Sequence, residues 1–160
     1  ALAFAGPDTI LAPVRVRCGI ANVAQEDYVA WNLAYLSNVA PVGALRVDGD
    51  VVEAAAAGGA GEHTIEVEWP SCETAPCAGA EPYVRWDDPS DTLVDQREAI
   101  SATWFTTAGT WAEARNGRAG DDEGTTLTNT LTLDDDAPAW IAVVLRDERG
   151  GVSWQVVLLE

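Results

Sequence analysis

The chain predicts an all-β fold, an antiparallel β-sandwich. Three observations carry that expectation. Short runs alternating apolar and polar residues recur along most of its 160 residues. Gly, Asp and Pro turn signals separate those runs. No GxGxxG, P-loop or strand–helix alternation competes with them.

Residues 10–20 alternate after Pro13, with Val14, Val16 and Cys18 on one face, and read as a strand. Residues 22–38 carry two periods at once. Asn22 followed by Gln25 resembles a helix cap, and Tyr28, Trp31 and Tyr35 then share a helical face. The same stretch alternates as Val29, Trp31, Leu33 and Tyr35, and a strand over 28–36 is the expectation. Residues 42–47 form a strand that ends in the turn pair Asp48-Gly49. Residues 54–61, an Ala/Gly run without periodicity, read as a loose surface loop. Ile65, Val67 and Trp69 point inward from a strand over 63–69, with Glu66 and Glu68 outward.

Residues 70–98 hold Pro, Cys and many Asp, and read as a long excursion. Ile100, Ala102 and Trp104 alternate again, in a strand that ends at Thr106-Thr107-Ala108-Gly109. Residues 112–124 are polar and punctuated by Gly; residues 125–133 place Leu127, Leu131 and Leu133 on one face. Two β-rich runs, 140–145 and 152–159, are joined by the hairpin connection Arg146-Asp147-Glu148-Arg149-Gly150-Gly151.

Composition narrows the setting. With 26 acidic residues against 9 basic ones, all Arg, the formal net charge is -17. Nucleic acid needs a basic face and anionic membranes repel such a chain, so both are excluded as partners. No apolar run approaches the roughly 20 residues of a membrane-spanning helix. A hydrophobic content of 48% with seven Trp supports a real core. Missing Lys with abundant Ala, Gly, Asp and Glu points to a GC-rich genome; a saline habitat and codon bias explain it equally well. Ala1 to Gly6 are small and apolar, as the remnant of signal-peptide cleavage would be, although removal of Met before Ala looks the same.

Cys72 and Cys77 bracket Glu-Thr-Ala-Pro, and a disulfide is favoured over a metal site because His63 is the only His. So small a loop contributes only about 2 kcal/mol in the chain-entropy model. Cys18 is left as a buried thiol, as the true partner of Cys72 or Cys77, or as an intermolecular link. An oxidising compartment follows: secreted, periplasmic or cell surface.

The segments Ile100-Ser-Ala-Thr-Trp104-Phe-Thr-Thr-Ala-Gly109, Thr-Asn129-Thr-Leu131 and Val143-Val-Leu-Arg-Asp147-Glu-Arg-Gly-Gly151-Val-Ser-Trp154 are similar to those of uncharacterised envelope proteins of myxobacteria and related bacteria. Many of these are lipoproteins, and their C-terminal domains resemble PKD-like or bacterial immunoglobulin-like modules. The resemblance covers roughly residues 38–160, with 70–98 as an insertion. It implies an immunoglobulin-like sandwich and carries no catalytic signature. This chain departs from the pattern in lacking a lipid-bearing N-terminal Cys. Paired Cys around Ile65 and Val144 are also absent, so Trp104 is expected to pack against aliphatics alone.

Candidate chemistry is sparse. His63, the only possible base, sits between Glu62 and Thr64 at a strand entrance, facing solvent, and nucleophilic catalysis is not expected. Trp69 and Trp104 are core residues. Trp86, beside Asp87-Asp88, and Trp111 could form a sugar platform, although burial is the commoner fate of Trp. Asp121, Asp122 with Glu123, Asp134, Asp135, Asp136, and Asp87, Asp88 with Asp91 are weak calcium candidates in predicted loops, and hydrated acidic loops are the commoner case.

The expected organisation is a β-rich N-terminal arm over residues 1–37 and a sandwich over 38–160. Apolar tails fray unless they dock. The arm therefore packs on its own domain, or Leu2, Phe4, Ile10 and Leu11 pair with an edge strand of a neighbouring subunit. The expected function is a non-enzymatic structural subunit or accessory module of a surface assembly, such as a filament. A carbohydrate-binding or calcium-dependent adhesion module is the alternative.

Overall fold

The computed structural model describes residues 23–87, 89, 90 and 92–160. The expected strand in residues 10–20 and Cys18 lie outside them. The described chain is mostly strand, with one helix.

That helix, α1 (Gln25–Leu36), overturns the strand expected over 28–36 and the β-rich character of the arm there. Gln, Glu, Ala and Leu are good helix formers, and Glu26 and Asp27 lie in the first turn, where the macrodipole favours acids. Tyr28, Trp31 and Tyr35 stack along one face, with ring centroids 5.9 and 5.3 Å apart, and Tyr35 continues to Tyr83 at 5.9 Å. The competing alternation is not used: Val29 and Leu33 are exposed at 47% and 65%.

The first sheet has the order β2-β1-β4-β10-β8, all antiparallel. It joins β1 (Ala44–Val47), β2 (Asp50–Val52), β4 (Gly61–Glu68), β8 (Thr110–Trp111) and β10 (Thr126–Leu133). The β1–β2 turn uses Asp48 at φ 49° and Gly49 at φ 92°, the left-handed pair that a tight hairpin needs. The second sheet has the order β3-β12-β11-β7-β9. It joins β3 (Ala55–Ala56), β7 (Ile100–Thr106), β9 (Arg115–Arg118), β11 (Ala139–Asp147) and β12 (Val152–Leu159). This sheet is mixed, because β3 runs parallel to β12. The Ala/Gly run expected to be a loose loop therefore contributes a short edge strand, and the polar stretch 112–124 contributes β9. Neither carried an apolar alternation to announce it.

Leu45, Ile65, Val67, Trp69, Leu127, Leu131 and Leu133 from the first sheet meet Ala102, Trp104, Ile141, Val143 and Leu145 from the second in one buried cluster. The inward faces of 63–69, 100–104 and 125–133 are therefore those the alternation predicted. Trp104 does not pack against aliphatics alone: its ring lies 5.3 Å from that of Trp111. Its indole N–H donates to Asn116 Oδ1 at 2.9 Å, and Asn116 in turn donates to Thr128 O at 2.9 Å.

Residues 70–98 carry the Cys72–Cys77 disulfide and a separate antiparallel hairpin of β5 (Pro82–Asp87) and β6 (Thr92–Arg97). Helix α1 packs against β5.

Candidate functional site

Two places depart from the usual distribution of polar and apolar groups. At the first, charge is buried. The β11–β12 connection, read from the sequence as a plain hairpin, places Arg149 in the interior at 2% exposure, with Glu81 and Glu98 at 0% and 1%. Arg149 Nε donates to Glu98 Oε1 at 2.6 Å, and its Nη2 donates to Glu81 Oε2. Nη1 faces the last turn of α1, 3.4 Å from Ala34 O and 3.5 Å from Tyr35 O, satisfying carbonyls that a helix end leaves open. The guanidinium also lies 4.9 Å over the Tyr83 ring.

The two carboxylates are held in turn by backbone. Glu81 Oε1 accepts from Cys77 N–H at 2.6 Å, and Glu98 Oε2 accepts from Glu81 N–H at 3.1 Å. Burial pushes the Glu98 carboxyl up to about 7, against the opposing pull of Arg149.

Next to Arg149, Asp147 accepts from Gly151 N–H at 2.7 Å and from Asn38 Nδ2 at 3.2 Å. A Cβ on Gly151 would stand 2.0 Å from Asp147 Oδ2, so only glycine fits there. Tyr83 Oη donates to Glu148 Oε1 at 2.7 Å, and burial followed by that carboxylate raises the phenol's pKa. Sequence reasoning missed this cluster. Glu81, Glu98 and Arg149 lie far apart in the chain and look like ordinary surface charges.

At the second place, aromatic side chains are exposed. On the outward face of the second sheet, Phe105, Trp140, Trp154 and Val156 are 51%, 50%, 69% and 47% exposed. The register makes them neighbours: Ala142 pairs with both Phe105 and Val156, and Val144 pairs with Trp154. The outward positions of β7, β11 and β12 hold no acidic residue. Arg146 and Arg115 lie at one end of the face. Arg146 donates to Thr103 Oγ1 at 3.1 Å and Arg115 to Ser101 Oγ at 3.0 Å.

The residues singled out from the sequence fall elsewhere. Trp69 and Trp104 are buried, each 3% exposed. Trp111 is half-buried against the core, with its ring nitrogen buried and unpartnered among the described residues, so it is not an open platform. Trp86 is half-buried on β5, paired across the hairpin with Leu93.

His63 does not face solvent freely. Its Nδ1 lies 2.8 Å from Asp48 Oδ2 and its Nε2 lies 2.9 Å from Gly59 O. Two acceptors ask both ring nitrogens to donate, so the Gly59 carbonyl, and then Asp48, raise the imidazole's pKa. Burial pushes Asp48 up, but hydrogen bonds from His63 and Thr64 N–H outweigh it and its pKa falls.

The acidic loops are occupied locally. Asp122 pairs with Arg118 at 2.5 Å, Asp136 accepts from Ala60 N–H at 2.8 Å and Asp135 accepts from Ala137 N–H at 2.9 Å. Among the described residues, no three His, Cys, Asp or Glu side chains converge as a metal site would require, so the calcium candidates Asp121, Asp122, Asp134 and Asp136 do not form one there. Leu2, Phe4, Ile10 and Leu11, together with Asp88 and Asp91, lie outside the described residues.

Comparison with protein-family models, curated proteins and solved structures gives no match for this chain.

Proposed function

We propose that this chain is a non-enzymatic contact module of a surface assembly: an immunoglobulin-like β-sandwich of a secreted or envelope-exposed protein, akin to the PKD-like modules its motifs resemble. The observation that carries the proposal is the acid-free aromatic face of β7, β11 and β12. In a chain of net charge -17, an acid-free sheet face with two exposed Trp is a surface for meeting something. The buried ionisable groups favour the same view. Arg149, Glu81 and Glu98 are spent on holding α1, the insertion and a hairpin together, and they are sealed from any substrate. An oxidising compartment agrees with the Cys72–Cys77 bridge.

Strand addition at the sheet edges is the weaker route to assembly. Both sheets end in short strands, Asp50–Val52 and Thr110–Trp111 on one, Ala55–Ala56 and Arg115–Arg118 on the other. Short edges discourage pairing.

Hydroxyl-radical footprinting of the full chain, in buffer and on the intact surface that displays it, tests the proposal. Protection of Phe105, Trp140 and Trp154, with Leu33 and Val51 still reactive, is expected. Unchanged reactivity of the three aromatics overturns it.

A further inference from the structure

The outward face of the second sheet has a shape and a chemistry that narrow its partner. On the register of β7, β11 and β12, a rise of about 3.4 Å per residue and a strand spacing of about 4.8 Å put the Cα atoms of Phe105, Trp140 and Trp154 roughly 8 to 14 Å apart. The three rings therefore spread over one sheet face rather than lining one pocket. Val144, Ala142 and Val156 fill the floor between them. At exposures of 51%, 50% and 69%, and with about 150–250 Å² per aromatic side chain, they offer roughly 400 Å² of ring surface.

Three partners can be weighed against that surface. A second copy of the chain needs about 800 Å² per partner for a stable interface. Pairing would also bring together two bodies of net charge -17. A polyanion meets the same repulsion everywhere except at Arg115 and Arg146. A neutral partner meets none, and the face is neutral where its rings stand.

We propose that this face binds a neutral polysaccharide chain, with sugar rings laid against Trp154, Trp140 and Phe105. The hydrogen-rich faces of a pyranose match the electron-rich face of an indole, and rings spread over one sheet face suit several consecutive sugars. Arg146 and Arg115 stand at one end. A guanidinium carries five donors, and the bond each makes to a β7 hydroxyl uses one of them. Donors remain for sugar hydroxyl oxygens; Asp147 and Glu148, which border the same cleft, already accept from Gly151 N–H and Tyr83 Oη. The proposal rests on the contact role given to this face above and names its ligand. It moves the sugar platform away from Trp86 and Trp111.

The test is affinity electrophoresis and pull-down of the full chain with neutral polymers (a β-glucan, an N-acetylglucosamine polymer, an α-glucan, a mannan) and with alginate as the anionic control. Retention by at least one neutral polymer is expected. Trp154→Ala should weaken it about tenfold and Trp140→Ala/Trp154→Ala should abolish it, as loss of about 1.4 kcal/mol per ring implies. Trp86→Ala should leave it unchanged. Retention by alginate alone, by no polymer, or equally by the double variant overturns the proposal.

Sedimentation of the same proteins separates the two levels. A dimer abolished by the double variant refutes the saccharide but keeps the face as a contact surface. No dimer, no retention and no footprint on the aromatics refutes both.

Discussion

The interior at Arg149 and the outward face at Trp154 invert the usual distribution of side chains in opposite ways. One buries charge at 2% exposure; the other exposes an indole at 69%. Burial there serves cohesion: a single guanidinium meets β6–β7, the insertion and the end of α1, so its loss leaves carboxylates stranded without water. Exposure here suits the contact proposed above: Trp154 stands on the outer face of the second sheet, paired through the backbone with Val144. Position rather than polarity separates the residues that hold this molecule from those that meet its surroundings.

Substitutions should split along that line. Arg149→Met should be the most damaging, lowering stability by about 3–5 kcal/mol in urea denaturation, because Glu81 and Glu98 remain buried without a cation. Adding Glu81→Gln and Glu98→Gln should restore much of it. An Arg149→Met protein as stable as the parent would break the comparison at its strongest point.

Acidity acts on the same interior. Glu98 has an ordinary value of 4.5 and a folded value of about 7. Its contribution is therefore fully present below about pH 4.5 and is lost as pH rises towards about 7. Urea midpoints from pH 4.5 to 8 should fall over that window, and Glu98→Gln should flatten it. His63 shares the sign at a more exposed place. Its pKa is raised above 6.5, so the contribution of its clasp on Asp48 and Gly59 is present below that value and fades as pH climbs through the folded one. His63→Gln should remove only this upper part.

Reducing Cys72–Cys77 should cost about 2 kcal/mol, since the bridge closes a very small loop. The smallest effect belongs to the face. Trp140→Ser with Trp154→Ser should lower stability by no more than about 1–2 kcal/mol, the worth of the partly buried ring area, while saccharide retention disappears. A large loss of stability would make these rings part of the core's support.

Much of the interior is legible in the sequence. Ile65, Val67 and Trp69, then Leu127, Leu131 and Leu133, alternate with polar neighbours, and a two-residue period admits one burial pattern. The short Cys spacing marked the disulfide. Helix α1 was hidden because its sequence satisfies both periods, and the deciding partners, Tyr83 and Arg149, stand far along the chain. The ionic cluster was hidden for a related reason. Glu81 and Glu98 sit in polar company, where charge normally means solvent. The aromatic face left a mark that went unread: residues 140–145 are apolar in both phases of the alternation, the pattern of a strand meant to be covered on both sides.

A single cation shared by so many segments has a consequence for how the native state breathes. Residues 81, 98 and 149 cannot part from one another singly without leaving a buried ion unmatched, and loss of residues 34–35 leaves a buried guanidinium donor without its carbonyls. Fraying of α1, lifting of the 70–98 excursion and opening of the β11–β12 turn are thereby one event. Their slowest amides should exchange with deuterium at a common rate, as one cooperative unit.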